Sequence, residues 1–173
     1  PLWSRGLGDV YKRQAHYSGP LLYFDLDTVI VNNIDWICNR APEYFWAVRD
    51  FKYLWKPNNT GINSSVMWWD TQKYGYIWDL FSQQNLAENM LKYHGDQDYI
   101  SATISETQRR WFDPERIQSW RWQCYNGGYD FAKRTHTSPG QGTKIDEKTS
   151  VLVFHGRPKP ADITDPVINE YWR

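Results

Sequence analysis

Asp25 and Asp27 stand two residues apart, directly after the apolar run Leu21-Leu22-Tyr23-Phe24. A run that apolar reads as a buried strand, and residues two apart in a strand face the same side. The pair therefore presents two carboxylates together where a strand leaves the core. Like charges that close raise each other's pKa unless a cation lies between them. A hard divalent ion with oxygen ligands is the simplest such cation. The plainer alternative is two solvated turn aspartates, since Asp favours turns by bonding its own backbone.

Three further polar groups stand beside apolar segments: Asn63 and Ser64, Asp96 and Gln97, and His155 with Arg157 and Lys159. A divalent ion held by few protein oxygens usually bridges substrate phosphates. Arg157 and Lys159 would then neutralise further phosphate charge, and His155 would complete the metal sphere. The plainer readings are a histidine bonded to a backbone carbonyl and two solvated cations.

The elements that must position these groups follow from pattern. Leu21–Phe24 and Thr28–Val31 read as extended segments, with Asn32-Asn33 as a turn and a helical turn at Ile34–Cys38. Glu43–Val48 is aromatic and reads as a strand; Lys56–Gly61 is loop chemistry. Ile62–Asp70 predicts a strand ending on a helix-capping Asp70. Tyr74, Ile77, Trp78 and Phe81 have helical spacing, which predicts one helix from Thr71; Leu86, Met90, Leu91 and Tyr93 predict a second. Asp96-Gln97-Asp98 opens a third, with aspartates matched to the helix dipole. Arg109–Tyr125 suggests two short strands, Arg134–Thr149 a mobile loop, Ser150–Phe154 a buried strand, and Asp165-Pro166 the start of a final helix. The sum is a single α/β chain.

Composition narrows the partners. At 173 residues the chain has the length of one domain, and 20 basic residues balance 20 acidic ones. No basic block points to nucleic acid, and no apolar run is long enough to span a bilayer. Cys38 and Cys124 are too few for a disulfide framework. With no visible signal peptide, this fits a cytoplasmic setting. The 11 Trp and 12 Tyr suit a sugar or nucleotide pocket, or equally a core poor in aliphatics. Residues 1–14 have no period, and Asp9-Val10-Tyr11-Lys12-Arg13-Gln14 resembles a translated sequencing adaptor, so the natural domain is expected to occupy 15–173.

Taken together the motifs resemble those of GT-A glycosyltransferases. Phe24-Asp25-Leu26-Asp27-Thr28-Val29-Ile30 is similar to the Asp-x-Asp segment. Asn63-Ser64-Ser65-Val66-Met67 resembles the Asn-Ser-Gly-Val-Met segment of the glycogenin and lipopolysaccharide-galactosyltransferase group. Asp96-Gln97-Asp98 resembles that group's Asp-Gln-Asp, and His155-Gly156-Arg157-Pro158-Lys159-Pro160 its His…Gly…Lys-Pro motif. All four stand in the family's order. The resemblance implies a mixed sheet flanked by helices and a nucleotide-sugar donor, UDP-linked, with an unknown acceptor (glycan, protein or small molecule). It also implies Mn²⁺ or Mg²⁺ on Asp25, Asp27 and His155, and phosphate on Lys159. Asn63, Ser64, Asp96 and Gln97 would line the donor sugar and the reaction centre. It favours retention of configuration; inversion would need a carboxylate base such as Asp96 or Asp98.

Two departures are visible: Ser65 replaces a glycine, and His155 and Lys159 stand closer together than in the family. In the family, nucleotide-binding βαβ units precede the Asp-x-Asp strand, so the chain is expected to be the C-terminal portion of such an enzyme, possessing or lacking activity by itself. Asp25-Leu26-Asp27-Thr28-Val29 also fits a haloacid-dehalogenase-type phosphatase with Asp25 as nucleophile and Asp27 as general acid/base. That reading leaves Asn63–Met67 and His155–Pro160 unexplained. A third reading is a non-catalytic sugar-binding fragment.

Overall fold

The computed structural model describes residues 17–83, 86–125, 129–130, 132–133, 135–136 and 142–172. The segment 1–14 and residues 134 and 137–141 of the expected loop lie outside them. Strand β1 (Pro20–Phe24) is followed by β2 (Thr28–Ile30), helical turn α1 (Asp35–Cys38) and β3 (Phe45–Arg49). Next come a 3₁₀ turn at Phe51–Leu54, β4 (Ile62–Asp70), α2 (Thr71–Tyr74), α3 (Tyr76–Gln83), α4 (Leu86–Lys92) and α5 (Asp96–Thr103). The chain continues through β5 (Arg109–Trp111), β6 (Ile117–Ser119), a π-helical turn at Trp120–Cys124, and the short pair β7 (Tyr129–Asp130) and β8 (Thr135–His136). It ends with β9 (Val151–Val153), a 3₁₀ turn at Pro160–Asp162 and α6 (Pro166–Tyr171).

Two sheets carry the architecture. One has the order β1-β4-β3-β5, the other β2-β9-β6, and both mix parallel and antiparallel pairs. The period of two along each strand builds the layers. On β4, Met67 and Trp69 enter a core against Tyr74, Ile77, Phe81, Tyr99 and Ile100 of the helices. Val66 and Trp68 point the other way, into a core shared with Ile117, Val151 and Val153 of the second sheet. On β9, Leu152 faces opposite to its neighbours and packs with Val29, Trp120, Phe154 and Ile168. Both central strands are thus buried on two faces, which is why they read as continuous apolar runs. Much of the aromatic content is core: Trp69 stacks on Phe45 at 5.5 Å and Trp120 on Phe154 at 5.0 Å between ring centroids.

Three expectations change. Asp25 and Asp27 do not extend β1. The chain turns there, with the Thr28 N–H donating to the Asp25 carbonyl at 3.2 Å, and β2 joins the other sheet. The segment expected as one helix from Thr71 is two, broken at Gly75, where Asp70 caps the first by accepting from Gln72 N–H at 2.8 Å. The stretch after β6 winds into a π-helical turn closed by Tyr125 N–H on the Trp120 carbonyl at 2.7 Å.

A Cβ at Gly75 would stand 2.8 Å from the Thr71 carbonyl oxygen, too close to a backbone atom that cannot swing aside. Gly→Ala in a helical segment ordinarily stabilises by up to about 1 kcal/mol. Here Gly75→Ala should destabilise by about 1–3 kcal/mol, the range for forced overpacking, as read from the urea midpoint. An unchanged or raised midpoint would show that the α2–α3 break has another cause.

Candidate functional site

Strand topology assembles one corner of the molecule. β2 runs antiparallel to β9, so its start lies against the end of β9, with Thr28 opposite Val153 and Phe154 N–H donating to the Asp27 carbonyl at 3.0 Å. β6 runs parallel to β9 with Ser119 opposite Val153, so its end arrives at the same corner. On the neighbouring sheet the β3–β4 ladder skips from Ala47–Met67 to Val48–Asn63. Residues 64–66 therefore bulge away from β3, and the Ser65 carbonyl accepts the Asp25 N–H at 2.8 Å. Bulges of this kind re-aim side chains beside functional sites.

Asp25 lies at the centre. Its Oδ1 accepts the Tyr23 hydroxyl at 2.6 Å. Burial pushes its carboxyl above the usual range against the pull of the Tyr23 hydrogen bond; the charges of Asp96 and Asp27 push it further, while a Ser65 hydrogen bond opposes. A raised folded-state pKa means that this group favours folding most at low pH and that its contribution is lost as pH rises through the raised value. Asp27 is joined by the ammonium of Lys159, which also reaches the Phe154 carbonyl at 3.4 Å. Leu26, between the two aspartates, is 93% exposed, as expected at a turn apex.

His155 stands next to this pair but is held from the other side. Its Nε2 is 2.6 Å from Ser119 Oγ, its ring stacks on Phe51 at 5.3 Å, and Trp122 meets it edge-on at 4.1 Å. Burial, reinforced by the Arg121 charge and offset by Asp50 and Asp27, lowers its pKa to about 4. The imidazole is neutral at pH 7.

The remaining expected residues divide. Asn63 and Ser64 are buried in the β4 bulge, and Asn63 Oδ1 accepts the Ser65 N–H at 3.2 Å. Asp96 opens α5 and accepts from Gln97 N–H at 2.8 Å; Gln97 is half-buried beside it. α5 is tied to β4 by Ile62 N–H donating to Ser101 Oγ at 3.0 Å. Asp98 belongs elsewhere: with Asp50, Asn59, Ser101 and Glu106 it lines a separate open cleft of about 460 Å³. Arg157 is 82% exposed in its side chain and pairs with Asp162 at 2.9 Å.

The divalent ion implied by the Asp-x-Asp resemblance can be tested against these donors. Two hard carboxylates near one another suit it. The imidazole is neutral, as a ligand must be, but its Nε2 is engaged by Ser119. Among the described residues no group of three or more His, Cys, Asp or Glu side chains is disposed to hold a metal. An ion here would have to be held by Asp25 and Asp27, each of which already accepts a hydrogen bond from Tyr23 or Lys159, and be completed by substrate oxygens rather than by a closed protein cage.

Tyr23, Ser119, Arg121 and the Phe51–Trp122 clamp were not anticipated. Tyr23 had a signal, since it stands two before Asp25, near the end of the strand that leads into it. Ser119 had none, because only the parallel β6–β9 pairing brings it to His155.

Comparison with solved structures gives the fold. An active-site mutant of LgtC aligns with 92% of this chain and 62% of its own, at TM-score 0.60 and 12% identity. The glycosyltransferase GlyE of Streptococcus pneumoniae aligns with 94% and 41%, at TM-score 0.62 and 16% identity. The galactosyltransferase LgtC in complex with donor and acceptor sugar analogs aligns with 95% and 67%, at TM-score 0.57 and 14% identity. The chain therefore has a GT-A-like glycosyltransferase fold, a mixed α/β arrangement with sheets flanked by helices, and spans less than two thirds of the first two structures. No family model and no curated protein matches the sequence. No helix among the described residues is long and apolar enough to cross a membrane.

The buried neutral His155 sets a pH signature. Between its ordinary value of 6.5 and about 4, the unfolded chain takes up a proton that the folded chain refuses. Stability therefore falls as pH drops through this window, by at most about 3 kcal/mol at roughly 1.4 kcal/mol per pKa unit, less for residual solvent contact. Urea unfolding of the His155→Gln variant should show a flatter slope between pH 4.5 and 6.5. An unchanged slope would mean that His155 titrates normally.

Proposed function

We propose that this chain forms the metal- and phosphate-binding part of a glycosyltransferase. The parent enzyme would move a sugar from a nucleotide-diphosphate donor, UDP-linked, to a hydroxyl of a glycan, protein or small-molecule acceptor. The observation that carries the reading is convergence: Asp25, Asp27, Ser65 and Lys159, from three separate segments, meet around one turn, and the charge of Asp96, from a fourth, acts on Asp25. Segments with no local reason to associate are brought together by topology alone, on a fold shared with glycosyltransferases.

Departure of a diphosphate builds negative charge on its oxygens, and cations fixed in place beforehand lower that barrier. In this reading Asp25 and Asp27 hold Mn²⁺ or Mg²⁺, which when bound supplies positive charge to the diphosphate. Lys159 adds an ammonium, seated on Asp27, to the same oxygens. Tyr23 orients Asp25, and the bulge carrying Asn63 and Ser64 lies beside Asp25. Asp96 and Gln97, at the start of α5, face the donor sugar. The neutral His155, held by Phe51, Trp122 and Ser119, adds no competing positive charge near Asp27. Asp25 must ionise to hold a cation, so affinity for the ion should fall as pH drops through its raised pKa.

Calorimetry with Mn²⁺ and UDP tests this. The chain should bind UDP more tightly with Mn²⁺ than without, and Asp27→Asn should weaken the Mn²⁺-linked binding by at least about tenfold, roughly 1.4 kcal/mol. Its urea midpoint should change little, because a half-exposed ion pair contributes only about 1 kcal/mol. Mn²⁺-linked UDP binding that survives Asp27→Asn unchanged would contradict the assignment. So would turnover of a generic phosphomonoester through Asp25.

A further inference from the structure

The corner described above contains three cations besides any bound ion, and they differ in how their charge is met. Lys159 lies on Asp27. Arg157 is mostly in water and pairs with Asp162. Arg121 makes no ion pair with any described residue, and its Nε is buried without a hydrogen-bond partner among them. Its Nη1 lies 3.6 Å from where a Cβ on Gly156 would stand, so the guanidinium faces the bare backbone of the His155–Gly156 turn. Tyr129 covers it from another direction, with the ring centroid 5.9 Å from Cζ. Its charge is close enough to His155 to help keep that imidazole neutral.

Local sequence explains the placement. Ser119 ends β6 and accepts the Trp122 N–H at 3.2 Å, which starts the π-helical turn. Trp120 and Cys124 of that turn point into the core, so Arg121 is turned away from it. Single π-turns recur at functional sites because they displace one side chain from the helical register. A half-buried guanidinium that lacks a carboxylate is expensive unless an anion meets it. Its planar fork suits two oxygens of a phosphate better than an ammonium does. Gly156 leaves open the space where a side chain would come between the guanidinium and the turn.

From this geometry we infer that Arg121 is the principal phosphate-binding cation of the site, gripping the diphosphate bidentately across Gly156, and that Arg157 has no such role. The inference rests on the reading of the corner as a diphosphate site. It redistributes the work within that site: the paired Lys159 neutralises Asp27 and the unpaired Arg121 takes the anion.

The test uses inorganic pyrophosphate, which needs no nucleoside pocket, titrated calorimetrically into the whole chain with Mn²⁺ present. Arg121→Met should weaken binding at least tenfold. Arg121→Lys, which keeps charge but loses the fork, should recover only part of the loss. Arg157→Met should change affinity less than twofold. A circular-dichroism melt on each variant establishes that it is folded; if Arg121→Met is not, the Arg121→Lys comparison with wild type decides, and a loss under twofold there overturns the inference. Binding that ignores Arg121, or that falls equally in the Arg121 and Arg157 variants, also overturns it while leaving the diphosphate site standing. A wild-type chain that binds no pyrophosphate overturns both the inference and the reading beneath it.

Discussion

The carboxylates of Asp25 and Asp27 repel one another, and the turn that carries them is fixed on three sides by backbone hydrogen bonds. Asp25 N–H is held by β4, Thr28 N–H closes the turn on Asp25, and Phe154 N–H from the end of β9 holds the Asp27 carbonyl. A solvated loop could relieve the repulsion by moving apart. This one cannot without breaking pairing in two sheets at once, since β1 belongs to one and β2 to the other. The backbone therefore holds the two charges together and also buries Asp25; burial is the main reason its carboxyl lies above the usual range, with the charges of Asp96 and then Asp27 adding to it. Groups whose environment penalises their charge in this way are where function is sought.

Everything else at the corner answers that charge or supports those that do. Tyr23 donates to Asp25, and Lys159 neutralises Asp27. His155 is pinned between Phe51, Trp122 and Ser119, so that the Gly156–Pro160 segment leaves β9 in one direction and returns Lys159 to the turn. Reciprocal bonds between Lys159 and Asp162 fix the far end of that return: the Asp162 carboxylate accepts the Lys159 N–H at 2.9 Å, and the Asp162 N–H donates to the Lys159 carbonyl at 2.9 Å. Arg157, which neighbours these residues in sequence, is exposed and pairs with Asp162 of this scaffold.

Much of this was legible in residue order. The apolar runs marked β4 and β9, because strands buried on both faces need no polar alternation, and they marked β1, although as an edge strand it is only half-buried. Asp70 was legible as a helix cap and Asp165-Pro166 as a helix start; in the structure Asp165 is itself the cap, accepting the Val167 N–H at 2.9 Å. The sheet exchange at Asp25–Thr28 was not legible, because Thr28-Val29-Ile30 has the same β-rich character whichever sheet it joins. The break at Gly75 was masked by Tyr74, Ile77 and Phe81, whose spacing satisfies a continuous helix and whose side chains do share one core. The roles of Ser119 and Arg121 depend on the parallel pairing of β6 with β9, a contact between distant segments that no local pattern encodes.

The claim that the turn's charge organises the corner is tested most directly by a double-mutant cycle on Asp27 and Lys159, using Asp27→Asn, Lys159→Met and the double variant, with urea unfolding at neutral pH and low salt. If the ammonium answers the acidic turn, the two changes are coupled by at least about 0.5 kcal/mol, shrinking as salt screens the pair, and the double variant is less damaged than the sum of the singles. Additive effects that salt does not alter would mean that Lys159 and Asp27 do not interact in solution, and the corner would no longer be one site.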